Sequence, residues 1–68
     1  MGKESQAFGR NMKRIRTEKG ITQGDISRSL NLARSFISNI ENGKTNPTLA
    51  TIAKIAKAIG VPLEDLIK

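Results

Sequence analysis

Residues 22–42, TQGDISRSLNLARSFISNIEN, decide the fold. Ile26, Leu30, Ile37 and Ile40 fall at helical steps of four and three on either side of a polar break at Asn31. That spacing predicts two short helices sharing one apolar interior. Thr22 can accept a backbone N–H as N-cap, with Asp25 three residues on as a weak form of the capping-box acid, so the first helix of the pair starts near Gln23. It ends at Leu30, because Asn31 is the non-glycine residue that best tolerates the left-handed backbone of a tight turn. The next helix runs from about Arg34 to Glu41 and stops at Asn42–Gly43, with glycine in the position after the cap. Three or four residues remain for the turn, the spacing of a helix-turn-helix.

Outward from this pair, the N-terminal side predicts one helix from about Gln6 to Lys19, with Phe8, Met12 and Ile15 at steps of four and three and Gly20 closing it. Its other faces carry Arg10, Lys13, Arg14, Arg16 and Lys19, an enrichment that partly suits the helix dipole. Residues 1–5 are polar and are expected to be frayed and disordered. On the C-terminal side, NGKTNP over residues 42–47 is a loop, and Thr48 can cap the helix after it. That fourth helix, Leu49–Ile59, sets Leu49, Ile52, Ile55, Ala56 and Ile59 on one stripe with Ala53 beside it, and Gly60 ends it. A short fifth helix, Leu63–Lys68, comes after Pro62.

Phe8, Met12, Ile15, Ile21, Ile26, Leu30, Ile37, Ile40, Leu49, Ile52, Ile55 and Ile59 suffice for the core of a compact, all-α, five-helix domain spanning residues 1–68. Val61, Leu63, Leu66 and Ile67 are then in surplus. They either cap the monomer core or, as expected for Leu63, Leu66 and Ile67, form a two-fold dimer contact.

A chain of 68 residues buries only about 60% of its unfolded surface, so pairing would help its stability. The sequence has no cysteine and no histidine. It therefore offers no disulfide framework, no thiolate metal site and no imidazole base. The expectation is no cofactor, no metal and no enzyme activity. No run approaches the roughly 20 apolar residues of a membrane span, and MGKESQAF lacks a signal-peptide core. A cytoplasmic, nucleoid-associated protein with no membrane partner is expected. Net charge is +6 and pI about 10.4, a balance that favours a polyanionic partner. Residues 1–44 hold nine Lys/Arg against four Asp/Glu, so the basic surface lies in the first two-thirds.

Thr22-Gln23, Asp25-Ile26, Asn31-Leu32, Ile37-Ser38, Ile40-Glu41-Asn42-Gly43 and Asn46-Pro47-Thr48 together resemble the signature of the lambda-repressor-like Cro/repressor (XRE) family of helix-turn-helix DNA-binding domains. Within that family, IRTEKGITQ, NLARSFIS and NPTL are similar to the small controller proteins of bacterial restriction–modification systems. The resemblance covers about Phe8 to Leu66. It departs at Asn31, where many relatives have glycine, and at Ala33, where a capping polar residue is expected.

In a helix-turn-helix the second helix enters the major groove with its N-terminal residues at base edges. With Ile37 and Ile40 inward, Arg34, Ser35, Ser38 and Asn39 are the candidate base readers. Arg34 leads, because its fork matches O6 and N7 of guanine. Phe36 sits at the edge of that face. It either packs inward or, as the resemblance implies, touches thymine methyls. Gln23 at a helix N-terminus, with Asn42, Lys44 and Thr45 beyond the third helix and Asn46 as a weaker member, would hold phosphates. The resemblance further implies that Arg16 pairs with Glu41 and aims at a phosphate.

The function these readings imply is a sequence-specific transcriptional regulator, activator or repressor, that binds a near-palindromic double-stranded DNA operator as a homodimer. A controller protein is the leading expectation, and a contact with RNA polymerase is left open. A phage-type repressor or an antitoxin would look much alike, although little tail remains to hold a toxin. From another class, the scaffold could serve protein–protein interaction without touching DNA.

Overall fold

The computed structural model describes residues 3–67, and residues 1, 2 and 68 lie outside it. Its five helices, in chain order, are α1 (Lys3–Glu18), α2 (Gln23–Leu30), α3 (Arg34–Glu41), α4 (Leu49–Ile59) and α5 (Leu63–Ile67). There is no strand among the described residues. α1 packs against α3 and α5, α2 against α3 and α4, and α4 against α5.

Local chemistry sets the boundaries. The Asp25 N–H donates to Thr22 Oγ1 (3.0 Å) and the Thr22 N–H to Asp25 Oδ2 (2.9 Å), so the capping box at α2 is complete in both directions. Asn31 takes the left-handed conformation (φ 56°), and the Leu32 N–H reaches back to the Ser27 carbonyl at 3.0 Å. α3 ends the same way. Gly43, at φ 71°, lets its own N–H and that of Lys44 close onto the carbonyls of Ile40 (3.1 Å) and Asn39 (2.9 Å). Ala33 supplies no side-chain cap to α3. Thr48 caps α4 by accepting from the Thr51 N–H at 3.1 Å. Each cap contributes about 1 kcal/mol and each buried aliphatic side chain about 1.5–3 kcal/mol, so caps fix where helices stop while the core holds them together.

The core comprises Phe8, Met12, Ile15, Ile26, Ile37, Ile40, Ile55, Ala56, Ile59 and Leu66, with Ile21, Leu30 and Ile52 packed on it half-buried. Three expectations need correction. α1 begins at Lys3 rather than Gln6, and Ser5, inside the stretch expected to fray, is buried. Ser5 lies three residues before Phe8, so it continues the inward stripe of α1 by one more turn. Leu49, expected in the core, is 70% exposed: it opens α4, and burial along the stripe increases from there through half-buried Ile52 to buried Ile55 and Ile59. Leu66, expected at a dimer contact, is completely buried in its own domain, where its carbonyl accepts from Asn11 Nδ2 of α1 at 3.1 Å.

Candidate nucleic-acid interface

α3 separates its residues by face. Ile37, Ile40 and Glu41 are buried, while Arg34, Ser35 and Asn39 are exposed together on the other side. Ser38 is half-buried, and Asn42 Nδ2 lies 3.4 Å from its hydroxyl, a long hydrogen bond. Phe36 is half-buried against the core. The inward alternative therefore accounts for most of that ring, and only its outer part borders the polar face. Beyond the helix, Lys44 and Asn46 are exposed and Thr45 is half-buried, on the loop that the Gly43 turn directs.

Behind this face lies a network of three side chains. Arg16 Nε donates to Glu41 Oε2 at 2.6 Å and Nη2 to Oε1 at 2.9 Å, while Nη1 donates to the Ile21 carbonyl at 2.9 Å. Gln23 Nε2 donates to the same Glu41 Oε1 at 2.9 Å. The Glu41 side chain is 1% exposed and that of Arg16 11%. The hydrogen bond to Glu41, followed by its negative charge, holds the Arg16 guanidinium above its ordinary pKa despite the opposing effect of burial. One carboxylate thus joins the end of α1, the start of α2 and the end of α3, and fixes the angle at which α3 is presented.

This arrangement bears on two site expectations. The Arg16–Glu41 pair forms and is buried, and Nε, Nη1 and Nη2 of the arginine each donate one hydrogen bond, to Glu41 or to the Ile21 carbonyl. Gln23 stays at the N-terminus of α2, with one amide hydrogen committed to Glu41.

The sequence reading overlooked the contact that brings α1 onto α3. Gly9 is buried, and a Cβ there would lie 2.4 Å from the Glu41 carbonyl oxygen and 2.5 Å from that of Ile40. A glycine inside a helical pattern is the signal that marks such close approach. Among the described residues, no group of His, Cys, Asp and Glu is arranged to hold a metal ion.

A sequence profile described as helix-turn-helix matches residues 12–66. The chain is 37% identical over 60 residues to the control protein C.MunI of Mycoplasma sp, spanning 87% of this chain and 81% of that protein. It is 34% identical over 59 residues to the immunity repressor protein of Bacillus phage phi105, spanning 87% of this chain but 41% of that protein. Among solved structures, it is similar to the restriction–modification controller protein C.Esp1396I, described as a tetramer in complex with its natural 35 base-pair operator. The TM-score is 0.83 at 29% identity, with 100% of each chain covered.

Proposed function

Because the chain belongs to the helix-turn-helix family, we propose that it is a sequence-specific, DNA-binding transcriptional regulator. It acts as a homodimer on a near-palindromic operator, as a controller protein of the restriction–modification type. The observation that carries this reading is the exposed polar face of α3, with Arg34, Ser35 and Asn39 on a helix locked from behind by the buried Arg16–Glu41–Gln23 network. A rigidly aimed helix is what base-edge recognition requires. The controller type is supported by the similarity to the controller proteins C.MunI and C.Esp1396I.

Arg34 reads guanine, and Ser35 and Asn39 read adjacent bases, with Ser38 and the outer edge of Phe36 at the margin. Lys44, Asn42 and Thr45 meet phosphates beyond the end of α3, and Gln23 meets one at the start of α2. Arg16 acts through Glu41 as a positioning residue. Two recognition helices of a dimer sit roughly 34 Å apart on one face of B-DNA, about ten base pairs between half-site centres. Coupling of dimerisation to binding makes occupancy depend steeply on protein concentration. The activity is binding, with no chemical step. No described helix is long and apolar enough to cross a membrane, and an operator target puts the protein on prokaryotic chromosomal or plasmid DNA in the cytoplasm.

The experiment is selection of bound duplexes from a random pool, then titration of the winner with wild type and Arg34→Ala at 50 and 200 mM salt. A two-fold symmetric site whose guanine preference disappears in the variant is the expected result. A pool without enrichment, or affinity that hardly changes with salt, would instead favour a protein-interaction module, since a dimer contacting several phosphates loses orders of magnitude over that range.

A further inference from the structure

α1 carries its charge on the side it does not bury. Phe8, Gly9, Met12 and Ile15 are buried, whereas Arg10, Lys13, Arg14, Thr17 and Glu18 are exposed, and helical spacing sets Arg10, Arg14 and Thr17 opposite the buried stripe. Among the described residues, neither Arg10 nor Lys13 has an ion-pair partner. Arg14 reaches Glu18 at 3.6 Å with both side chains exposed, a contact too weak to keep the arginine from a phosphate. The proposed function assigns nothing to this face.

The face points away from a duplex read by α3. Gly9 lies against the Glu41 backbone and Arg16 bonds the Glu41 carboxylate, and Glu41 is buried on the side of α3 opposite exposed Ser35 and Asn39. α1 therefore stands behind α3, and Arg10, Arg14 and Thr17 stand on the far side of α1. A duplex held by α3 leaves them in solvent.

Their chemistry says what can occupy them. A protein partner docks around well-packed anchors buried at the centre of a contact, and a membrane surface takes up the apolar face of a helix. Here the exposed residues are polar or charged, and the apolar face of α1 lies in the core. A nucleic-acid backbone asks only for cations and hydrogen-bond donors in a row. From Arg10 to Thr17 the row covers about 10 Å of helix, enough to follow two or three phosphates of one strand, which recur about every 3.4 Å of duplex axis.

We propose that the outer face of α1, formed by Arg10, Lys13, Arg14 and Thr17, binds the phosphate backbone of a second DNA duplex while α3 holds the operator, so that one protein joins two DNA segments. The proposal rests on the DNA-binding reading and adds a second surface to it. The arginines and the lysine supply charge without base preference, and the Thr17 hydroxyl can donate to a phosphate oxygen. The second duplex is therefore held without regard to its sequence.

The test uses the full chain. The duplex selected from the random pool is fixed to beads and saturated with protein, and capture of a labelled duplex of scrambled sequence is measured. Wild type is compared with the triple variant Arg10→Gln, Lys13→Gln, Arg14→Gln and with a control pair, Lys54→Gln and Lys57→Gln, which lies on α4. Far-UV CD confirms that each is folded. Wild type and the control pair are expected to capture the second duplex, and the triple variant at least about fivefold less, while its affinity for the selected duplex stays within about threefold of wild type. Capture by wild type should fall about tenfold or more between 50 and 200 mM salt, as for a contact with several phosphates. Equal loss of capture in the control pair would mean that net charge alone is at work, and would overturn the proposal. A triple variant that loses affinity for the selected duplex as strongly as it loses capture would place the face on the operator itself and overturn it too. No capture by wild type on a saturated operator would refute the second surface and leave the DNA-binding reading standing; retention on immobilised poly-glutamate, lost in the triple variant, would then assign the face to an acidic protein. A pool without any enriched duplex would refute both.

Discussion

Gly9 of α1 rests directly on the backbone of Glu41 in α3: a methyl group on Gly9 would stand 2.4 Å from the Glu41 carbonyl oxygen. The obstacle is main chain, which cannot swing aside as a flexible side chain would. Two effects therefore oppose each other in Gly9→Ala. Helix propensity favours alanine by about 1 kcal/mol, while forcing α1 away from α3 costs about 1–3 kcal/mol and disturbs the Arg16–Glu41 contact as well. Net destabilisation is expected, read as a lower urea midpoint, together with weaker operator binding. A variant more stable than wild type would show that α1 and α3 are not held this closely.

The Arg16–Glu41 pair predicts an asymmetry between its two halves. Arg16→Ala leaves a carboxylate whose side chain is 1% exposed with Gln23 as its remaining side-chain donor. Removing one partner of such a pair costs about 3–5 kcal/mol, and a domain of this size has only about 3–10 kcal/mol in total. Glu41→Gln keeps the shape and can still accept from Arg16, and the arginine left behind retains Ile21 as a partner, so the loss is smaller. Urea denaturation should rank wild type above Glu41→Gln above Arg16→Ala, with the last largely unfolded by far-UV CD. A loss below about 1 kcal/mol for Arg16→Ala is the size expected of a solvent-exposed pair, and would sink the idea that it aims α3.

The residues that made the fold legible are those whose chemistry acts within one turn of the chain. Thr22, Asn31, Gly43, Thr48 and Gly60 each satisfy or redirect nearby backbone groups, and α2, α3 and α4 begin and end where the sequence reading put them. Periodicity was less complete, because it gives the side of a helix that faces inward but not how far along the helix the core extends. Leu49 therefore sat on the correct stripe and proved exposed, while Ser5 sat on the α1 stripe and was missed because it is polar. A five-residue helix with apolar residues on both faces gives no basis for separating Leu66 from Ile67. The Arg16–Glu41 pair came from family resemblance alone. Its burial and its link to Gln23 depend on three elements meeting in space, which no local pattern records.

The capping box at α2 should appear as a specific acid dependence. The backbone hydrogen bond from Thr22, before its other contacts, lowers the Asp25 carboxyl from its ordinary value of 3.8. A group whose pKa is lower folded than unfolded contributes stability that is fully present above the unfolded value and is lost as pH falls through the folded one. The contribution should thus be constant above about pH 5 and decline from about pH 4 downward. Thermal midpoints of wild type and Asp25→Asn, measured from pH 2 to 6, should differ most at pH 6 and converge at the acid end. A gap independent of pH would mean that the carboxylate charge plays no part in the cap.

Lys44 and Arg34 separate holding DNA from reading it. Both are exposed, but Arg34 opens α3 on its polar face, whereas Lys44 lies beyond the Gly43 turn, where its own N–H is tied to the Asn39 carbonyl. A lysine ammonium meeting a phosphate contributes attraction that does not depend on base sequence. Lys44→Ala should therefore weaken binding by a similar factor on every duplex and reduce the dependence of log affinity on log salt by about 1 for each subunit's phosphate contact. Arg34→Ala should instead lose about 1–3 kcal/mol on the preferred operator and much less on a duplex whose guanine is already replaced. Titrating both variants against both duplexes at four salt concentrations closes the comparison. Equal losses on the two duplexes for Arg34→Ala, accompanied by a shallower salt slope, would make Arg34 a second phosphate contact and transfer sequence reading to Ser35 and Asn39.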